Sequence, residues 1–354
     1  MAGQDIEGDK YTLTPINSAA SSQDISLVIK DGSFSRYVYG ADRLKKGSLV
    51  RYGSIDMTIQ DGHFSNVVVG GIGYTQATPT AFAVLEGDIN MTISGGTFDK
   101  YVYGGCLAGK KTYASATSII GSITVTLDVD SGSEAHFKEN LIVGSHGFGH
   151  VLQQTVNGKA VGGNVSLVVS GAGTVTVDGQ IWGACSGDYY VVSGNKRTFE
   201  TSIEGERLLS FSGFTGNMNC DTIRGFESVE FKSDADGNAS LFALNNQCNL
   251  SDIENWRFEL GSGIVDGNFT NDFTGDKLTL AGFADIADPQ TLMVAAHKAF
   301  NGFGGLASVT LDGVGQAQKA SNTLWYWGAA DQHTYELKLQ SDETKTSMIL
   351  ARLA

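Results

Sequence analysis

The chain has 354 residues, with 46 Gly, 3 Pro, 18% charged residues and a net charge of −14. Against ordinary usage of about 7% Gly and 5% Pro, this composition excludes collagen, a coiled coil and a Pro-rich disordered tail. No basic cluster exceeds Lys45-Lys46 or Lys110-Lys111, and an acidic surface repels phosphate backbones, so no nucleic-acid partner is expected.

Residues 1–23 read as a lead-in or N-terminal cap. The start, Met1-Ala2-Gly3-Gln4-Asp5, carries no basic n-region and no apolar h-region. The expectation is a cytoplasmic chain or an excised piece of an exported one. No apolar run approaches about 18 residues, so no transmembrane helix is expected.

From residue 24 the chain repeats itself. The first unit is Asp24-Ile-Ser-Leu-Val-Ile-Lys-Asp-Gly-Ser-Phe-Ser-Arg-Tyr-Val-Tyr-Gly40. Ser54 to Gly70 and Asp88 to Gly104 follow the same pattern, and looser copies run from Ser122 to Gly144 and from Asn164 to Gly183. The anchoring glycines are therefore Gly40, Gly70, Gly104, Gly144 and Gly183, about 30 to 40 residues apart, a period that signals stacked units. Each unit opens on strict alternation: Ile25, Leu27 and Ile29; Ile55, Met57 and Ile59; Ile89, Met91 and Ile93; Ile123, Val125 and Leu127; Val165, Leu167 and Val169. Period two marks a strand with one buried face. A glycine corner follows at Gly32, Gly62 and Gly96, where positive φ is needed.

A unit this short cannot close a core, so its apolar face must be covered by the next copy. Like positions then form ladders. One inward ladder is expected at Phe34, Phe64, Phe98, Phe137 and Val177, and a second at Val38, Val68, Val102, Ile142 and Ile181. An outward ladder is expected at Tyr39, Val69, Tyr103, Val143 and Trp182. The fold class is all-β, a parallel β-helix solenoid with one coil per unit. Leucine-rich repeats lack these corners, and a propeller blade needs about four strands. The variable segments 41–53, 71–87, 105–121 and 145–163 are expected to project from one edge, with a third strand around Ala81-Phe-Ala-Val-Leu85. Residues 24–200 form the regular region.

Residues 201–354 loosen without becoming polar and are expected as irregular coils followed by a C-terminal capping region. Strands are read at Leu208 to Phe211, Ile223 to Phe231, Ile253 to Leu260, Leu278 to Leu280, Val309 to Leu311, Leu324 to Trp327 and Tyr335 to Leu339. Asp288-Pro289 followed by Leu292, Ala295, Ala296 and Ala299 reads as a short capped helix.

The Gly-Gly-x-Phe and Val-Tyr-Gly-Gly units resemble passenger segments of bacterial autotransporter-type surface proteins. So do Asp221-Thr-Ile-Arg-Gly-Phe-Glu and Ile253-Glu-Asn-Trp-Arg-Phe. The resemblance covers most of residues 24–282. It implies a right-handed β-helix, extracellular or cell-surface localisation and a stalk or adhesive role. It also implies that the exporting barrel lies outside this chain, which would make the chain a fragment.

Candidate chemistry is sparse. Glycosidases need two carboxyls about 5–9.5 Å apart. The aligned outward positions Ser26, Asp56, Asn90, Thr124 and Ser166 are mostly neutral, and Arg36, Asn66 and Lys100 are mixed. No catalytic site and no cofactor are expected. Asp234-Ala-Asp236-Gly-Asn238 reads as an acidic turn rather than a calcium loop, since the distant bidentate Glu is missing. His146 and His150 are four apart, with His136 nearby, a spacing that on a helix could bind metal, but the intervening Gly147 and Gly149 read as a loop with solvated histidines. Cys106, His146 and Cys185 share a spacing from their anchoring glycines and form a weak metal column. No CxxC pair occurs, so no zinc site is expected. Cys220 and Cys248 could form a disulfide, though buried free thiols are the plainer reading.

The binding candidates are Tyr37, Tyr39, Tyr101, Tyr103 and Trp182, an exposed aromatic stripe able to stack on sugar rings or, alternatively, to stabilise the outer sheet face. The expected role is a non-enzymatic scaffold or adhesin that presents loops to a glycan, a host surface or a neighbouring cell. The alternatives are a polysaccharide lyase or glycoside hydrolase, and a self-associating fibre segment.

Overall fold

The computed structural model describes residues 11–15, 24–41, 43–44, 49–74, 83–108, 117–146, 149–183, 190–192, 195–197, 203–250, 253–259, 261–270, 275–281, 290–294, 306–312, 315–321, 324–327, 334–341 and 346–353. The protein is all-β, built from stacked parallel sheets, an arrangement compatible with a β-helix or β-solenoid.

The main sheet places one strand from each coil side by side. Its order begins Tyr11–Pro15, Ile25–Ile29, Ile55–Ile59, Ile89–Ile93, Ile123–Val129 and Val165–Gly171. It continues through Arg207–Ser212, Ser228–Lys232, Asn255–Glu259, Lys277–Ala281, Ser308–Leu311 and Gly315–Gln316. Neighbours from Ile25–Ile29 to Ser308–Leu311 run parallel, and the first and last pairs are antiparallel. The register stacks Leu27, Met57, Met91, Val125, Leu167, Leu209, Val229, Trp256, Leu278 and Val309 into one column. All ten side chains are buried. The sheet therefore crosses position 200 without changing register, because alternation persists in 207–311 even where the Gly-x-Phe motif is gone.

A second sheet holds the short strands after each corner, such as Ser33–Phe34, His63–Phe64, Gly96–Phe98 and Glu134–Phe137. There Phe34, Phe64, Phe98 and Phe137 stack with ring centroids 4.8 to 4.9 Å apart and planes within 7°. That distance is the spacing between parallel strands, so one ring per coil fills the core with no slippage. Val177 continues the column. The variable segments add two further parallel stacks. One comprises Arg43–Leu44, Gly73–Tyr74 and Leu107–Ala108; the other includes Leu49–Tyr52, Ala83–Glu86, Thr117–Ile120 and Gly149–Val156.

Where each coil re-enters the main sheet, short polar side chains tie it to the next. Asp24, Asp88 and Asn164 accept the backbone N–H of Ser54, Ser122 and Glu206 at 2.8, 2.7 and 2.9 Å. Ser54 and Ser122 hydroxyls accept from Asp88 and Asn164 at 3.1 and 3.3 Å. These corners spend their N–H groups on the neighbouring coil, which proline could not do.

Two ladder assignments are corrected in the fourth coil. Leu141, not Ile142, lies between Val102 and Ile181, and Ile142, not Val143, lies between Tyr103 and Trp182. Gly104 therefore aligns with Val143, and Gly144 aligns with Gly105. The expected helix is also corrected. Gln290–Val294 is a strand paired antiparallel with Thr346–Leu353. Thr291 and Val294 are β-branched and favour a strand, and an isolated short helix is marginal beside a waiting sheet edge. The remainder of that segment lies outside the described residues. Thr346–Leu353, Thr334–Ser341, Leu324–Trp327 and Gln318–Ser321 complete an antiparallel sheet at the C-terminus. Its Trp325 and Leu337 are buried in the main core. Among the described residues no helix is long and apolar enough to cross a membrane.

Candidate functional site

The aromatic stripe is not an exposed face. Tyr39, Val69, Tyr103 and Ile142 are buried and form a second apolar cluster, with Val67, Tyr101, Leu107 and Trp182 packed on it. The cause is the variable segment, which folds back over the outer side of the second sheet. Gly73 lies so close to the Tyr39 ring that a methyl group there would collide with it. Trp182 already carries the Arg224 guanidinium over its ring at 4.0 Å. Tyr37 is the exposed member, at 37%, stacked on Tyr39 with centroids 5.9 Å apart. Tyr39 and Tyr103 thus serve packing, as stacked aromatics on a covered sheet face do.

The expected metal column also separates. Ile72, Cys106 and Ser145 are consecutive, with the Ile72 N–H donating to Cys106 Sγ at 3.4 Å and the Cys106 N–H to Ser145 Oγ at 3.0 Å. His146 instead pairs with Leu107 and meets the Tyr103 ring edge-on at 5.2 Å. Burial pushes the Cys106 thiol up to about 12. His150 sits in the strand Gly149–Val156 opposite Ser118 rather than in a loop. Cys185 lies outside the described residues. Among the described residues no three His, Cys, Asp or Glu side chains gather to hold a metal ion. Asp234 accepts from the backbone of Asp236 and Asn238 and from the Asn238 amide, closing an acidic turn.

The outer side of the second sheet carries a charged array that the repeat pattern does not announce. His63, Thr97, His136 and Thr176 form one column. His63 Nε2 lies 2.7 Å from Asp99, Asp99 lies 2.8 Å from Lys138 Nζ, and His136 Nε2 lies 2.9 Å from Asp178. These pairs run diagonally between coils, so aligned columns do not reveal them. Hydrogen bonds from Lys138 and His63 hold the Asp99 carboxyl below the usual carboxylate range. Asp234 is lowered in the same direction by Asn238. A carboxyl held ionised is a poor general acid, so Asp99 does not suit the proton-donating half of glycoside hydrolysis.

Because its folded pKa is depressed, Asp99 contributes stability that is present above the unfolded value of about 3.9 and is lost as pH falls through the folded value. Asp99→Asn is expected to cost about 0.2–1 kcal/mol at neutral pH, as exposed ion pairs do. In strong acid wild type and variant should converge. Urea midpoints at both conditions test this, and an equal difference in each would contradict it.

The longest unbroken run of exposed residues among those described lies on a β-hairpin. Gly149–Val156 pairs through its first half with Thr117–Ile120 and through its second half, antiparallel, with Lys159–Gly162. Asn157 and Gly158 have φ of 52° and 77°, the left-handed pair that a tight two-residue hairpin turn demands. Residues 153–161 are all exposed, including Val156 at 44% and Val161 at 48%. The base is fixed: the Gln153 N–H donates to Glu204 at 2.8 Å, and the Gly163 N–H donates to Gly121 at 2.8 Å. The sequence signal for it is Asn157-Gly158 between alternating residues, a strong short-range hairpin cue.

No protein-family model, no curated protein and no solved structure matches this chain.

Proposed function

We propose that the chain is a right-handed parallel β-helix that acts as a non-enzymatic, extracellular bacterial surface scaffold. In this reading it is of the autotransporter-passenger kind and presents the exposed hairpin for adhesion to a glycan, a host surface or a neighbouring cell. The observation that carries the reading is the contrast between coil and hairpin. The coils stack in register on fully buried ladders, while residues 153–161 stand exposed on a fixed base. A rigid tandem core with insertions on one face is the usual form of a solenoid binding surface. The polar outer ladders are spent on each other: the Asn90 amide donates to Asp56 at 2.8 Å, and the Ser170 hydroxyl to Asp128 at 2.8 Å. The antiparallel strands at both ends of the main sheet weigh against end-to-end stacking, since they interrupt the parallel template.

The test incubates the labelled chain with acidic and neutral polysaccharides and records both retention and released ends. Retention without product is expected. Release of oligosaccharide or unsaturated ends would overturn the reading in favour of an enzyme.

A further inference from the structure

The strands Asn217–Arg224 and Leu241–Leu250 are neighbours in the second sheet, one coil apart and parallel. Their register shifts between Met218, opposite Leu244, and Thr222, opposite Asn249. Cys220 and Cys248 lie within this irregular stretch, both turned into the core, at 5% and 0% exposure. The two thiols are within hydrogen-bonding reach of each other, and Cys220 also donates to the Thr222 carbonyl at 3.3 Å. Both are free in this structure. Neither cysteine is a register partner of the other, but parallel neighbours are about 4.8 Å apart and a disulfide spans a Cα separation of about 4.4–6.8 Å, so adjacent coils are at bridging range.

We propose that Cys220 and Cys248 form a latent disulfide site that staples two consecutive coils when a small-molecule disulfide oxidises it. Cys220 is the outer sulfur and attacks first. Its thiolate attacks one sulfur of the oxidant, forming a mixed disulfide and expelling one thiolate. Cys248 then attacks the Cys220 sulfur, expelling the second thiolate. Two protons leave the protein thiols and end on the two reduced oxidant molecules, so the site loses two electrons and the oxidant gains them. The Cys248 hydrogen bond draws the Cys220 thiol below its ordinary range, whereas burial raises Cys106. Cys106 is therefore an internal control of comparable burial, whose thiol meets the Ile72 N–H instead of a second cysteine. The staple closes positions 220 and 248 across a sheet irregularity, where backbone pairing alone is weakest.

The test exposes the folded chain to glutathione disulfide, blocks remaining thiols with N-ethylmaleimide in denaturant, and maps peptides without reduction. A peptide linking Cys220 to Cys248 is expected, with Cys106 recovered alkylated. The thermal midpoint should rise and fall back when reductant is added in denaturant before refolding. A Cys106→Ser, Cys185→Ser variant should form the same link, since neither residue takes part. Recovery of Cys220 and Cys248 both alkylated, both carrying glutathione, or linked to other cysteines would overturn the proposal. The Cys220→Ser variant gives a second reading: its midpoint should no longer respond to the oxidant, and a retained response would count against the site.

Discussion

Replacing Phe98 with alanine is expected to cost about 3–5 kcal/mol, the range for emptying a fully buried aromatic site. Phe98 is completely buried, and its ring lies 4.9 Å from Phe64 and 4.8 Å from Phe137 with planes within 7°. Alanine would therefore remove two stacking contacts and open a void between coils that the backbone cannot close. The spacing of those coils is set by strand hydrogen bonds on both sides, so relaxation is limited. Phe98→Leu, which keeps much of the volume, should cost about 1.5 kcal/mol or less. In a solenoid each coil is stabilised chiefly by its neighbours, so the alanine variant should also show a broader or split transition. Urea unfolding followed by circular dichroism and by tryptophan fluorescence checks both effects. A loss below about 1 kcal/mol with a single sharp transition would show that the ring column does not carry the stacking.

Gly70→Ala is expected to cost about 3 kcal/mol, the upper end for overpacking, although it adds only one methyl group. That methyl would land on the Gly104 carbonyl oxygen and within 3.1 Å of Ile89 Cγ2. Gly40 faces Gly70 in the same way, and Gly104 faces Val143. These glycines are required for the close approach of one coil's backbone to the next. Gly132 provides the contrast. It has φ of 82°, and a methyl group placed on it would meet nothing within 4 Å. Gly132→Ala therefore meets only the backbone cost of the left-handed region, about 1–2 kcal/mol. The order of the two losses distinguishes close packing from conformational freedom. If Gly132→Ala proved the more damaging, the close-approach account would be wrong.

What is legible in the sequence follows from how each feature is written there. The main-sheet strands come from period-two alternation, which survives from Ile25 to Leu311 and needs no knowledge of the partner. The Phe column is readable because one aromatic recurs at a fixed distance from each corner. The fourth coil slips by one position because Gly144 imitates the anchoring glycine that Val143 replaces in space. Only cross-coil hydrogen bonds decide between them. Tyr39 and Tyr103 look exposed in the sequence because alternation tells which residues leave the first core, not what covers them from outside. Their cover is the folded-back variable segment, whose sequence differs in every copy. The His63–Asp99 and His136–Asp178 pairs are invisible for a similar reason, since each joins different positions in successive coils. The helix expected at 288–299 rests on the local Asp288-Pro289 start and apolar spacing, while Gln290–Val294 is claimed by a strand more than fifty residues later in the chain.

The display role is tested most directly by shortening the hairpin while leaving its base intact. Deleting residues 154–156 and 159–161 leaves Asn157-Gly158 as the turn between Gln153 and Gly162, which are already cross-strand partners. Binding of both chains to a glycan array and to cell surfaces is measured beside their thermal midpoints. The expected result is an unchanged midpoint with retention reduced about tenfold or more, equivalent to about 1.4 kcal/mol of lost contact. Undiminished binding by the shortened chain at the same midpoint would contradict the account.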